Sequence, residues 1–132
     1  GSMTRSGRSC GVPVAELPAE DHSRVYYYSV FPSMLLSLHP DYVMYHTLWP
    51  ISPSRTRIVC EWLFHPASLD GRHDPSDAVA FWDETNRQDW HICELSQQGV
   101  ESRKYAPGPY SPRESLLAAW DAEYLKQLGS AR

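Results

Sequence analysis

The chain has 132 residues, enough for one ordinary domain and short for two. Hydrophobic residues make up 42% and charged residues 21%, close to globular averages, which excludes wholesale disorder. The net charge is -4 and no basic run is concentrated, so a nucleic-acid partner is not expected.

The longest apolar run, Met34-Leu35-Leu36, falls far short of a membrane span. The leading Gly1-Ser2-Met3 has the look of a tag-cleavage remnant, and no apolar secretion signal follows it. Cys10, Cys60 and Cys93 cannot all pair, and none lies in a C-x-x-C or C-x-H arrangement. That points to a cytoplasmic location and away from a zinc or iron–sulfur site built from this chain alone.

Residues 1–22 are expected to be a tag remnant and flexible arm, polar and small, with Gly7, Gly11, Pro13 and Pro18. Strand-formers then dominate four runs, 24–31, 34–39, 41–49 and 55–64, parted at Phe31-Pro32, His39-Pro40 and 50–53. Connections this short join antiparallel neighbours, because a parallel crossover needs a dozen residues or more. A four-stranded meander is predicted.

A polar loop with Gly71 and two prolines leads to Asp74-Pro75-Ser76, a helix start with Asp74 or Ser76 as cap. The first helix is predicted over 76–98, ending at Gly99. Ser111 and Glu114 have capping-box spacing, with Pro112 at the first helical position. The last helix, about 113–128, carries Leu116, Leu117, Trp120, Tyr124 and Leu128 at helical spacing. The fold class is therefore α+β: an antiparallel meander followed by two helices packed on the sheet.

On a wheel of 100° per residue, Ala78, Phe81, Trp82, Ile92 and Cys93 share one arc of the first helix. Asp89 falls near the middle of that arc and Asn86 at its edge. A carboxylate among apolar neighbours needs compensation. A salt bridge to Arg55 or Arg57, a raised pKa and a metal ion all remain open at this point. Cys93, one turn beyond, has no evident basic partner and is expected to be a packed, inert thiol. Tyr26, Tyr27, Tyr28, Tyr42, Tyr45, Trp49 and Trp62 either line one aromatic pocket or cover the sheet; the second is the simpler reading.

The run FWDETNRQDWHICELSQQGVESRKYAPGPYSPRE (81–114) resembles the C-terminal segment of Rieske non-haem iron oxygenase alpha subunits, of the ring-hydroxylating and choline/betaine type. The preceding run, 26–66, resembles the sheet segment of the same catalytic domains. The resemblance covers roughly 24–128. It implies that 23–132 is the C-terminal portion of a Rieske oxygenase-like catalytic domain, a partial helix-grip fold. It also implies a mononuclear Fe(II) held by two His and one carboxylate, with O₂-dependent hydroxylation of an organic substrate. The family's carboxylate stands five residues before the helix Glu, which here is Glu94. That count gives Asp89 as metal ligand and catalytic residue, with Asn86 as the fallback one turn earlier. Trp82, Asn86 and Cys93 become candidates for the substrate pocket.

The C-x-H and C-x-x-H pairs of a [2Fe–2S] domain do not occur in this sequence, and neither does the family's paired-His segment. His39 and His46 are seven apart, so one continuous strand would point them to opposite faces, although Pro40 interrupts it. The resemblance therefore implies that an upstream chain carries the cluster and both His ligands, and that the isolated chain is inactive and self-associates into a homo-oligomer. A non-catalytic, truncated fragment or ligand-binding module that keeps the half-pocket is the alternative.

Overall fold

The computed structural model describes residues 2–130. Gly1 of the supposed remnant and residues 131–132 of the predicted domain lie outside them. Four strands, β1 (Tyr26–Val30), β2 (Met34–Leu38), β3 (Tyr42–Ser52) and β4 (Arg55–Phe64), precede two helices, α1 (Ser76–Val100) and α2 (Ser115–Ser130). The strands form one antiparallel sheet in the order β1-β2-β3-β4, the predicted meander. β3 continues through Pro50-Ile51 to Ser52, where a break had been expected. The proline is tolerated at an irregularity in the register between Pro50 and Ser52. The chain divides into two compact units at Gln97/Gln98.

In the first unit, register assigns the side chains to two faces. Tyr42, Met44, His46 and Leu48 of β3 stand opposite Phe64, Trp62, Cys60 and Ile58 of β4, and this face meets α1. Tyr42 and Met44 are fully buried with Cys10, Ala78 and Trp82 around them. Because side chains alternate along a strand, the candidate aromatics are split. Tyr27, Tyr42 and Trp62 take the helix-facing side, and Tyr26, Tyr28, Tyr45 and Trp49 the other. No single pocket holds all seven. On the other face Tyr28, Trp49, Ile51 and Leu63 remain exposed.

The stretch read as an arm lies against this sheet. Buried Asp41 accepts hydrogen bonds from the hydroxyls of Ser2 (2.6 Å) and Ser9 (2.9 Å) and from the backbone N–H of Cys10 (2.7 Å). Met3 accepts from the Tyr42 hydroxyl through its carbonyl, and the Val14 N–H donates to the Pro40 carbonyl. Gly11 passes so close that an added Cβ would sit 2.6 Å from Ser68 Oγ, so any side chain there would have to displace Ser68.

Of the two capping candidates it is Asp74, just ahead of α1, whose carboxylate accepts from the Ser76 N–H at 3.2 Å. Gly99 does not end the helix, which runs to Val100, and its φ is not positive. In the second unit, the Glu114 carboxylate accepts from the Ser111 N–H at 2.6 Å. α2 starts one residue after Glu114, so the pair forms a turn ahead of the helix and Pro112 lies outside its first turn. Within α2, Trp120 and Tyr124 stack with centroids 5.4 Å apart.

Candidate functional site

α1 is the element that carries the candidate residues, and its apolar arc has two distinct halves. Ala78, Trp82 and Asn86, spaced four apart, are its buried residues. Trp82 Nε1 donates to the Tyr42 hydroxyl at 2.7 Å, which ties the second turn to β3. One turn later the Asn86 amide oxygen accepts from His46 Nε2 at 3.0 Å, and its NH₂ donates to Cys60 Sγ at 3.7 Å. His46 and Cys60 are direct cross-strand partners on β3 and β4. One amide thus spans two strands, and it is only 6% exposed. Burial pushes the Cys60 thiol up to about 11, so it stays protonated near neutrality.

Beyond Asn86 the arc emerges. Asp89 is exposed, not buried as the wheel suggested, and Ile92 is 60% exposed. Among the described residues Asp89 forms no ion pair with Arg55 or Arg57. Cys93 is exposed as well, which corrects the expectation of a packed thiol. The physical reason is a lack of cover. Opposite this part of α1, near the tip of the β3–β4 hairpin, lies an open cavity of about 410 Å³, lined by Arg55, Trp90, Cys93 and Glu94 among others. Cys93 reaches that cavity, whereas Trp82 and Asn86 are buried against the sheet. The three pocket candidates are therefore not gathered around one space.

The histidines are also redistributed. His39 lies between β2 and β3, because Pro40 breaks the strand there. Its ring stacks on Tyr42 at 4.1 Å and meets Trp82 edge-on at 5.8 Å, so it packs on the same side of the sheet as His46. Only 2% exposed, and with neither ring nitrogen hydrogen-bonded, His39 is held neutral, its pKa lowered by burial to about 4. Burial likewise raises the Cys10 thiol to about 12, with the Asp41 charge adding to it. For Asp41 burial acts upward, but hydrogen bonds from Ser2, Cys10 and Ser9 outweigh it and hold the carboxyl below its ordinary range.

An exposed, unpaired carboxylate on a helix anchored one turn earlier suits one oxygen ligand of a divalent metal. Asp89 is such a donor. The described residues contain no group of three His, Cys, Asp or Glu side chains placed to hold a metal. The His46–Asn86–Cys60 cluster escaped the sequence reading. The turn between β3 and β4 did not signal it: pairing Ser52 with Arg55 would by itself set His46 opposite Glu61, and the irregularity between Pro50 and Ser52 shifts the register to Cys60.

A four-stranded meander with a helix of this motif on one face defines the class. The chain belongs to the ring hydroxylating alpha subunit (catalytic domain) family, which matches residues 1–130, and so to the Rieske oxygenase catalytic domains. Its relatives include the glycine betaine monooxygenase oxygenase subunit of Pseudomonas aeruginosa, 39% identical over 54% of this chain and 17% of that protein. The protein of the same name from Chromohalobacter salexigens is 35% identical over 54% of this chain and 16% of its own length. The chloroplastic choline monooxygenase of Arabidopsis thaliana is 22% identical over 67% and 21%. The chain thus spans about a fifth or less of the curated relatives it matches.

Proposed function

We propose that this chain is the C-terminal part of an oxygenase catalytic domain and supplies Asp89 as the carboxylate ligand of a mononuclear Fe(II) site. The observation that carries this reading is the placement of Asp89. It lies five residues before Glu94 in the family's helix motif, exposed, and one turn beyond a buried anchor. The two histidine ligands and the [2Fe–2S] cluster come from sequence outside these 132 residues, in an upstream chain or segment. Bound iron supplies O₂ activation for hydroxylation. The share of this chain is to hold a carboxylate in place and to build one side of the pocket.

The names of the relatives point to a small quaternary ammonium compound as the first substrate to try. The exposed Tyr28, Trp49, Ile51 and Leu63 favour association with another subunit or copy, and the setting is the cytoplasm. No described helix is long and apolar enough to cross a membrane.

The test is oxygen- and NAD(P)H-dependent hydroxylation of glycine betaine or choline by the full-length subunit that carries this segment, with its electron donors. Turnover that falls to background in Asp89→Asn, with folding intact, supports the proposal. Undiminished turnover in that variant would sink it. The rival reading, a non-catalytic module, predicts no turnover in any full-length form.

A further inference from the structure

We infer that Asn86 is a positioning residue for the iron ligand, acting by clamping α1 to two strands at once; this rests on the reading of Asp89 given above. Three observations carry it. Asn86 is the last buried residue of α1, and Asp89 lies three positions further along the same arc. The amide makes two side-chain bonds, to His46 on β3 and Cys60 on β4, which face each other across the ladder. Beyond it the helix borders an open cavity, so packing gives little control over its rotation there.

Apolar contacts at Ala78 are non-directional, and the Trp82 hydrogen bond to the Tyr42 hydroxyl, one turn earlier than Asn86, ties α1 to β3 alone. A hydrogen bond weakens steeply off axis, so a pair of them made by one planar amide to two strands resists both rotation and sliding. An error of rotation at Asn86 would be passed to Asp89 within one helical turn, about 5.4 Å of rise. Residues that orient metal ligands in this indirect way matter nearly as much as the ligands. Asn86 was the fallback ligand by sequence count. In the structure its amide is engaged with His46 and Cys60, which favours this positioning role.

The experiment uses the full-length oxygenase subunit and measures Fe(II) affinity by chelator competition, beside the melting temperature. Asn86→Leu and His46→Leu are expected to weaken Fe(II) binding about 10–100-fold, as loss of such supporting partners typically does. His46→Gln keeps an N–H donor and should recover most of that affinity. Trp82→Phe, a core change away from the clamp, should lower the melting temperature and leave Fe(II) affinity unchanged. Asp89→Asn should abolish binding.

Unchanged Fe(II) affinity in Asn86→Leu, with binding lost in Asp89→Asn, would overturn the positioning role and leave the ligand reading standing. Retained binding in Asp89→Asn would remove the ligand reading and this inference together. If Asn86→Leu does not fold, the His46 pair decides: a Gln variant as weak as the Leu variant overturns the clamp. An equal affinity loss in Trp82→Phe would do the same, because general loosening would then explain the effect.

Discussion

The two halves of α1 continue one apolar arc and meet different surroundings. In the first half Ala78, Trp82 and Asn86 lie against the helix-facing side of β3 and β4, and each is nearly or fully shielded. In the second half Ile92 and Cys93 continue the arc, yet both are exposed, and Cys93 borders an open cavity. Periodicity describes what a helix offers, and burial depends on what stands opposite. The first half is where stability resides, and the second is where a carboxylate can stand exposed without a large desolvation cost.

The sharpest way to break this contrast is to truncate one residue in each half. Trp82→Ala removes an indole that is 9% exposed and hydrogen-bonded to Tyr42, and should cost about 3–5 kcal/mol in urea unfolding. Ile92→Ala in the other half should change stability by less than about 0.5 kcal/mol. Similar costs at the two positions would show that the halves are not different.

Acid sharpens the contrast further, because the titrating groups that burial shifts lie with the first half. His39 is shifted down from 6.5 to about 4 in the fold. Below 6.5 the unfolded chain takes up a proton that the folded chain refuses, so stability falls as pH drops from 6.5 toward 4, by about 3 kcal/mol. His39→Phe preserves the ring stacking on Tyr42 and should flatten the urea midpoint across that interval. An unchanged slope in the variant would contradict the assignment.

Asp41 acts lower on the pH scale. Its folded pKa is depressed, so its contribution is present above the ordinary carboxylate pKa and lost as pH falls through the folded value. Asp41→Asn weakens the bonds to Ser2, Ser9 and Cys10, and should cost about 1–3 kcal/mol at neutral pH. It should also release residues 2–11 to faster amide exchange. Exchange at wild-type rates would argue that the arm is held by other contacts.

Asp89 gives the smallest effect on stability. A buried, uncompensated charge would make Asp89→Asn stabilising, as the wheel implied. Since the residue is exposed and unpaired, the change should stay within about 0.5 kcal/mol in the isolated chain. Destabilisation of several kcal/mol in thermal melts would show a structural role instead.

The meander was legible because its connections are short and its strands rich in β-branched and aromatic residues, from Tyr26 to Phe64. Asp74 and Ser76 both announced the start of α1 as possible caps, and the Asp74 carboxylate is the one that accepts there. The end of α1 was not legible, since Gly99 permits a left-handed cap without requiring one. The arm was hidden for a different reason. Its attachment runs through Asp41 and Ser68, far away in sequence, and polar residues such as Ser2 and Ser9 look like solvent-facing groups until their acceptor is located. In the candidate site, the position of Asp89 followed from a motif, whereas its exposure depended on the surroundings of the helix, which periodicity does not describe. Asn86 lay in the same motif, but its partners on two other strands leave no local trace in the sequence.

The most direct test of the central claim is the mononuclear iron content of the full-length oxygenase subunit, determined by metal analysis together with the visible spectrum of its iron–sulfur cluster. The account predicts that Asp89→Asn retains the cluster spectrum and the fold and loses the mononuclear iron. A variant that keeps its full complement of iron would contradict it.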